Sequence, residues 1–161
     1  MTKKEIKKET IRIIREECTI QGVVNPAQVA YILATVEWET NHTWLPVIEA
    51  YWLSEAWRKK HLSRYYPYYG RGYVQLTWKE NYEKFADLLN IPLDGDPSLA
   101  LHPKYAAFIL VYGMKHGIFT GKSLDDYTSS EDNVDFVNAR HVINGADQAF
   151  TIASIAKGFM V

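Results

Sequence analysis

Tyr65-Tyr66-Pro67-Tyr68-Tyr69-Gly70-Arg71-Gly72-Tyr73-Val74-Gln75-Leu76-Thr77 gathers five tyrosines around two glycines, more phenols than an ordinary core or surface segment needs. Pro67 presets one backbone angle and Gly70 and Gly72 allow positive φ, so the first half reads as a bent loop that holds aromatic rings in place. After Gly72, the residues Tyr73, Gln75 and Thr77 alternate with Val74 and Leu76, the period of a short half-buried strand with its polar side chains on one face. Thr77 is an N-cap residue type, and Glu80 three residues on completes a capping-box pattern that predicts a helix through about Asn90.

Outward from this stretch the chain reads as helical. Thr2 with Glu5 opens a helix to about Gln21, with Ile6, Ile13, Ile14 and Cys18 among its apolar positions and Gly22 as its stop. Asn25 caps a second, with Pro26 at its first position and Val29, Ile32, Leu33 and Val36 on one face to about Thr40. From Asn41 to Gly72 periodicity is weak. All five tryptophans lie between Trp38 and Trp78, a clustering that suits a binding surface better than core filling. Asn90-Ile91-Pro92 and Asp94-Gly95-Asp96-Pro97 are turn chemistry. Pro103 opens a buried helix to about His116, and further helices are predicted over about Asn133–Val142 and Ala149–Met160.

The fold class is therefore mainly α, with one short β-hairpin or strand region near a cleft. With 161 residues the size prior gives a single domain over 1–161. A composition of 47% hydrophobic and 23% charged residues is that of a globular chain, and the longest apolar run, Ala106 to Tyr112, is too short to cross a bilayer. The net charge of −1 argues against a nucleic-acid partner. Cys18 stands alone, which excludes an internal disulfide, and the five histidines have no metal-ligand spacing, so neither metal nor cofactor is expected. Met1 to Glu5 lack an apolar signal core, so the expectation is synthesis in the cytoplasm without an export signal.

Acidic residues offer the chemistry. Glu37 and Glu39 flank Trp38 at the end of the second helix, one on each edge of the apolar stripe, and periodicity does not choose between them. A carboxyl at a helix C-terminus against apolar groups has its charged form disfavoured by desolvation and by the helix dipole, the condition for a general acid. General acid–base hydrolysis needs a second carboxylate across a cleft as its base. Glu49 and Glu55 are the candidates, and Pro46 keeps either from sharing a continuous helix with Glu37 and Glu39. Arg58, Lys59, Lys60, His61 and Arg64 form a basic run, ordinarily a solvated face but also suited to an anionic polymer.

Tyr69-Gly70-Arg71-Gly72-x-x-Gln75-Leu76-Thr77, followed by Asn81-Tyr82, resembles the signature of glycoside hydrolase family 19, which contains chitinases and phage-type endolysins of lysozyme-like fold. The resemblance spans roughly Ala27 to Phe159. It implies Glu39 as the general acid, in Trp38-Glu39-Thr40 where the family has a histidine before the glutamate, and Glu49 rather than Glu55 as the base. It implies Thr77 as the residue orienting the attacking water. Gln75, Asn81, Asn144, Tyr68, Tyr69 and Arg71 are implied as substrate-binding, with Ala146 standing where the family has a second glycine. Arg140 is implied either as a tie to the carboxylates or as a substrate contact. The implied activity is cleavage of β-1,4 links in peptidoglycan, by a monomer released through a membrane pore without inserting stably in the membrane. The alternatives are a chitinase acting on chitin oligomers and an inactive glycan-binding relative.

Overall fold

The computed structural model describes residues 1–130 and 133–160. Six α-helices and one two-stranded antiparallel sheet make up the regular structure among them. α1 spans Lys3–Ile20, and its start is fixed by a reciprocal capping box between Thr2 and Glu5. α2 spans Pro26–Glu39, with the Asn25 side chain accepting from the Ala27 N–H and Pro26 at the first position. α5 spans Pro103–His116 and ends on Gly117 at φ 68, the left-handed cap that glycine adopts without penalty. α6 spans Ala149–Phe159. α2 packs mainly on α6 and α1 on α5. One cluster of Ile14, Cys18, Tyr31, Leu33, Leu110 and Ile152 joins the four.

α2 is buried nearly all round, from Ala27 through Val36, so it forms the centre of the molecule and carries Glu39 out of the core at its last residue. A second cluster, around Leu76, Tyr82, Phe85 and Leu93, ties α4 (Lys79–Leu89) to α5. A third, small one of Leu62, Tyr65 and Tyr69 sits under the tyrosine loop, beside α3 (Glu55–His61). No helix among the described residues is long and apolar enough to cross a membrane.

The sheet pairs β1 (Val47–Ile48) with β2 (Arg71–Gly72), Val47 opposite Gly72 and Ile48 opposite Arg71. The strand expected beyond Gly72 is absent: residues 73–75 form a tight turn, with Gln75 at φ 58, and Arg71 and Leu76 exchange both backbone hydrogen bonds across it. Tyr73, Val74 and Leu76 are all buried, so polarity alternates in the sequence while burial does not. Gly72 has the positive φ, 107, that its type allows; Gly70 is needed for space, because a Cβ there would lie 2.5 Å from Gln75 Oε1. The Thr77–Glu80 capping box does not form. Trp78 at φ 77 is the residue before α4, and the Thr77 hydroxyl turns back to donate to the Gln75 carbonyl at 3.0 Å.

The helix expected over 133–142 shrinks to a 3₁₀ segment, Asn138–Val142. Asp135 explains the shortening: its carboxylate accepts from the Asn138 N–H at 3.0 Å and starts the turn only there, while its own N–H bonds to Tyr127 O. Of the tryptophans, Trp44 is core, 2% exposed, and only Trp52 and Trp78 are well exposed.

Candidate active site

The chain reverses sharply after α2. Asn41, His42 and Trp44 take positive φ of 51, 63 and 60, and the turn is closed by His42 N–H donating to Glu37 O and Thr43 N–H to Thr40 O. The turn is anchored from inside: the Thr10 hydroxyl donates to Trp44 O at 2.9 Å, and the Trp44 N–H to Thr40 Oγ1 at 3.0 Å. A groove of about 330 Å³ opens against it. Glu39, Thr40, Asn41 and Thr43 supply its polar lining, and Leu45 through Ile48 with Tyr51 supply the apolar part. That mixture fits a ligand with hydroxyl edges and apolar faces.

Glu39 and Glu37 part company here. Glu37 turns away to pair with Lys7 at 3.2 Å, a structural contact between α2 and α1. Glu39 lines the groove, and its Oε1 lies 2.6 Å from Arg140 Nη1. The carboxyl therefore faces a guanidinium as well as the apolar lining of the groove. Arg140 is 3% exposed, and its Nε also donates to Asp147 O at 2.8 Å. Arg140 thus ties Glu39 to the loop before α6.

Glu49 follows β1 directly and is fixed by the sheet: its N–H donates to Gly70 O at 2.8 Å, and its Oε1 accepts the Gly70 N–H at 3.1 Å. The Tyr65 hydroxyl donates to the same carboxylate at 2.5 and 3.0 Å. Burial first, and then the Glu49 carboxylate, push the Tyr65 hydroxyl above its ordinary range, so it stays a donor. Glu49 itself is not part of the groove lining, but Val47, Ile48 and Tyr51 on either side of it are. Glu55, the other candidate, accepts from Tyr66 and Tyr69 at 2.8 Å each and from Arg58 Nε at 3.1 Å. Desolvation would raise its pKa, but these hydrogen bonds outweigh that and hold it below the usual carboxylate value.

The residues that the resemblance assigns to sugar binding divide by exposure. Tyr69 and Arg71 are buried, the guanidinium lying 3.9 Å from the Tyr69 ring centroid and donating to Pro67 O and the Tyr82 hydroxyl. Gln75 Nε2 donates to Val47 O at 2.9 Å and so locks the turn to β1. Tyr68 donates to Asp94 O and packs on the Tyr82 ring. Asn81 Nδ2 donates to Thr77 O, and Asn144 is exposed, accepting the Gly145 N–H on its own amide oxygen. Thr77 is half-buried; with its proton on Gln75 O, its lone pairs stay free to accept.

Two contributors lie outside the signature stretch. Tyr65 holds Glu49 from 16 residues away, a contact no periodicity predicts. Arg58 stands in a basic run that suggested a solvated face, yet it is 8% exposed; Lys59, Lys60, His61 and Arg64 are the exposed members.

No family model matches the chain, and no curated protein sequence does. Among solved structures it is similar to chitinase C from Streptomyces griseus HUT6037, with a TM-score of 0.60 and 22% sequence identity over 83% of this chain. The chain spans 60% of the length of that chitinase. The likeness establishes the fold: a mainly α architecture similar to that chitinase's, with a small antiparallel sheet beside the groove.

Proposed function

We propose that the chain is an inverting glycoside hydrolase acting on β-1,4-linked N-acetylated aminosugar polymers. The observation that carries this reading is two fixed carboxylates, one on the groove and one just beyond its lining: Glu39 on the polar side, held by Arg140, and Glu49, directly after the strand that forms the apolar side, held by Tyr65 and the Gly70 N–H. Their placement in a fold similar to that of a chitinase, in a chain whose Tyr69–Tyr82 stretch resembles the family 19 signature, supports it further.

In this reading Glu39, protonated, gives its proton to the glycosidic oxygen as the bond to the anomeric carbon breaks. Glu49 takes a proton from a water that attacks that carbon from the opposite face, so the new hydroxyl has inverted configuration. Arg140 receives the anion left on Glu39. Thr77 accepts a hydrogen bond from the water and aims it, using the lone pairs that its bond to Gln75 O leaves free.

The substrate is assigned as peptidoglycan because Lys59, Lys60 and Arg64 form an exposed cationic edge beside the tyrosine loop. Peptidoglycan carries carboxylates on its peptide stems, whereas chitin is uncharged and gains nothing from that edge. Release from the cytoplasm to the wall through a membrane pore, as a monomer, completes the proposal. Turbidity of permeabilised bacteria tests it: the wild type clears the suspension, and Glu39→Gln, shown to be folded by its circular dichroism, does not. Equal clearing by both removes Glu39 as the acid; no clearing by the wild type, with retained binding to sacculi, leaves a glycan-binding protein.

A further inference from the structure

Tyr51 lines the groove and is nevertheless 63% exposed; Trp52, 71% exposed, meets it edge-on, ring centroids 5.2 Å apart at 89°. Exposed apolar residues scattered singly need no explanation, but an indole and a phenol that continue the lining of a groove are not scattered.

The turn that carries them is pinned from beneath. Arg58, 8% exposed, donates Nη1 to the carbonyls of Ala50 and Leu53, both at 2.9 Å, which bracket the two aromatic residues. Its Nε goes to Glu55, which the Tyr66 and Tyr69 hydroxyls hold in turn. Ala50 is at φ 54, a conformation that a residue with a Cβ keeps only where its surroundings over-determine it. The Leu53 N–H closes the turn onto Ala50 O at 2.9 Å. A buried guanidinium thus fixes the backbone on both sides of two side chains that the protein itself leaves uncovered. Preorganisation of that kind lowers the ordering cost of binding rather than of folding.

We infer that the Ala50–Leu53 turn is a stacking platform extending the groove, which takes a further N-acetylated aminosugar unit of the polymer on the Tyr51 and Trp52 rings, with Arg58 as its positioning residue. The inference rests on the glycan reading above. Two rings present far less surface than the roughly 1,000 Å² a stable protein partner needs. They match the size of a pyranose, whose apolar face packs on a ring while its hydroxyls stay in water.

Calorimetric binding of β-1,4-linked N-acetylglucosamine oligomers of increasing length to the Glu39→Gln protein, in which cleavage cannot confuse the isotherm, reads the platform directly. Affinity should rise with length until the platform is filled. Trp52→Ala should then weaken the longest oligomers about tenfold and the shortest far less. Arg58→Ala should reproduce that selective loss, and Arg58→Lys, which reaches one carbonyl but not the fork, should restore part of it. Should Arg58→Ala not fold, Trp52→Ala decides alone. Equal weakening at every length, no weakening, or no binding at any length overturns the platform. A wild type that binds long oligomers through Trp52 yet clears no bacteria leaves the platform standing and removes the hydrolase.

Discussion

Removing the Arg140 side chain tests how Glu39 is held. Arg140→Ala leaves the Glu39 carboxylate, whose side chain is 21% exposed, without its 2.6 Å cation, and leaves the Asp147 carbonyl without its 2.8 Å donor. Breaking a fully buried pair from one side costs about 3–5 kcal/mol. Partial exposure of Glu39 lets water relieve some of that, while the orphaned carbonyl adds about 1 kcal/mol, so the expected loss is about 3 kcal/mol. Arg140→Lys keeps the charge but not both bonds, and should lose about 1 kcal/mol. Urea unfolding at neutral pH gives these values from the midpoint shift at unchanged slope. In a double-mutant cycle with Glu39→Gln, the double variant should be more stable than the two single losses add to, by about 1 kcal/mol or more, because no orphaned charge remains. An Arg140→Ala variant within about 0.5 kcal/mol of the wild type, or strict additivity in the cycle, would refute the tie.

Gly70→Ala should destabilise by about 2 kcal/mol, since its Cβ would push the Gln75 amide off Val47 O; adding Gln75→Ala should recover part of the loss, and urea unfolding of both variants checks it. Glu55 gives a pH signature. Its folded pKa lies below the unfolded one, so its contribution is present above the ordinary glutamate pKa and is lost as pH falls through the depressed folded value. The gap in melting temperature between the wild type and Glu55→Gln should therefore be widest near neutral pH and close on the acid side, and a gap constant with pH would contradict the network.

The helical frame was legible because its signals are local. Thr2 with Glu5, Asn25 with Pro26 and the Pro103 start fixed three helix ends to within a residue. Thr77 with Glu80 carries the same signal and failed, because the hairpin turn pulls the Thr77 hydroxyl onto Gln75 O and Trp78 takes a left-handed φ instead. Alternation after Gly72 misled for a related reason: both faces of that segment are covered, so polarity no longer reports burial. In the candidate site, helix length put Glu37 and Glu39 together at the end of α2, and the resemblance singled out Glu39. The hold of Tyr65 on Glu49 could not be read, since it crosses a loop whose path no propensity encodes, and Arg140, 101 residues from Glu39, came into view as a tie to the carboxylates through the resemblance and not through any local signal. The basic run concealed Arg58 because composition cannot tell a solvated guanidinium from a buried one.

The anomer of the first sugar released from purified sacculi, followed by proton NMR before mutarotation, tests the central claim most directly. Two fixed carboxylates delivering a proton and a water from opposite sides predict the α-anomer from a β-linked strand, lost in Glu39→Gln and in Glu49→Gln alike. A β-anomer, or release that survives either substitution, would contradict it.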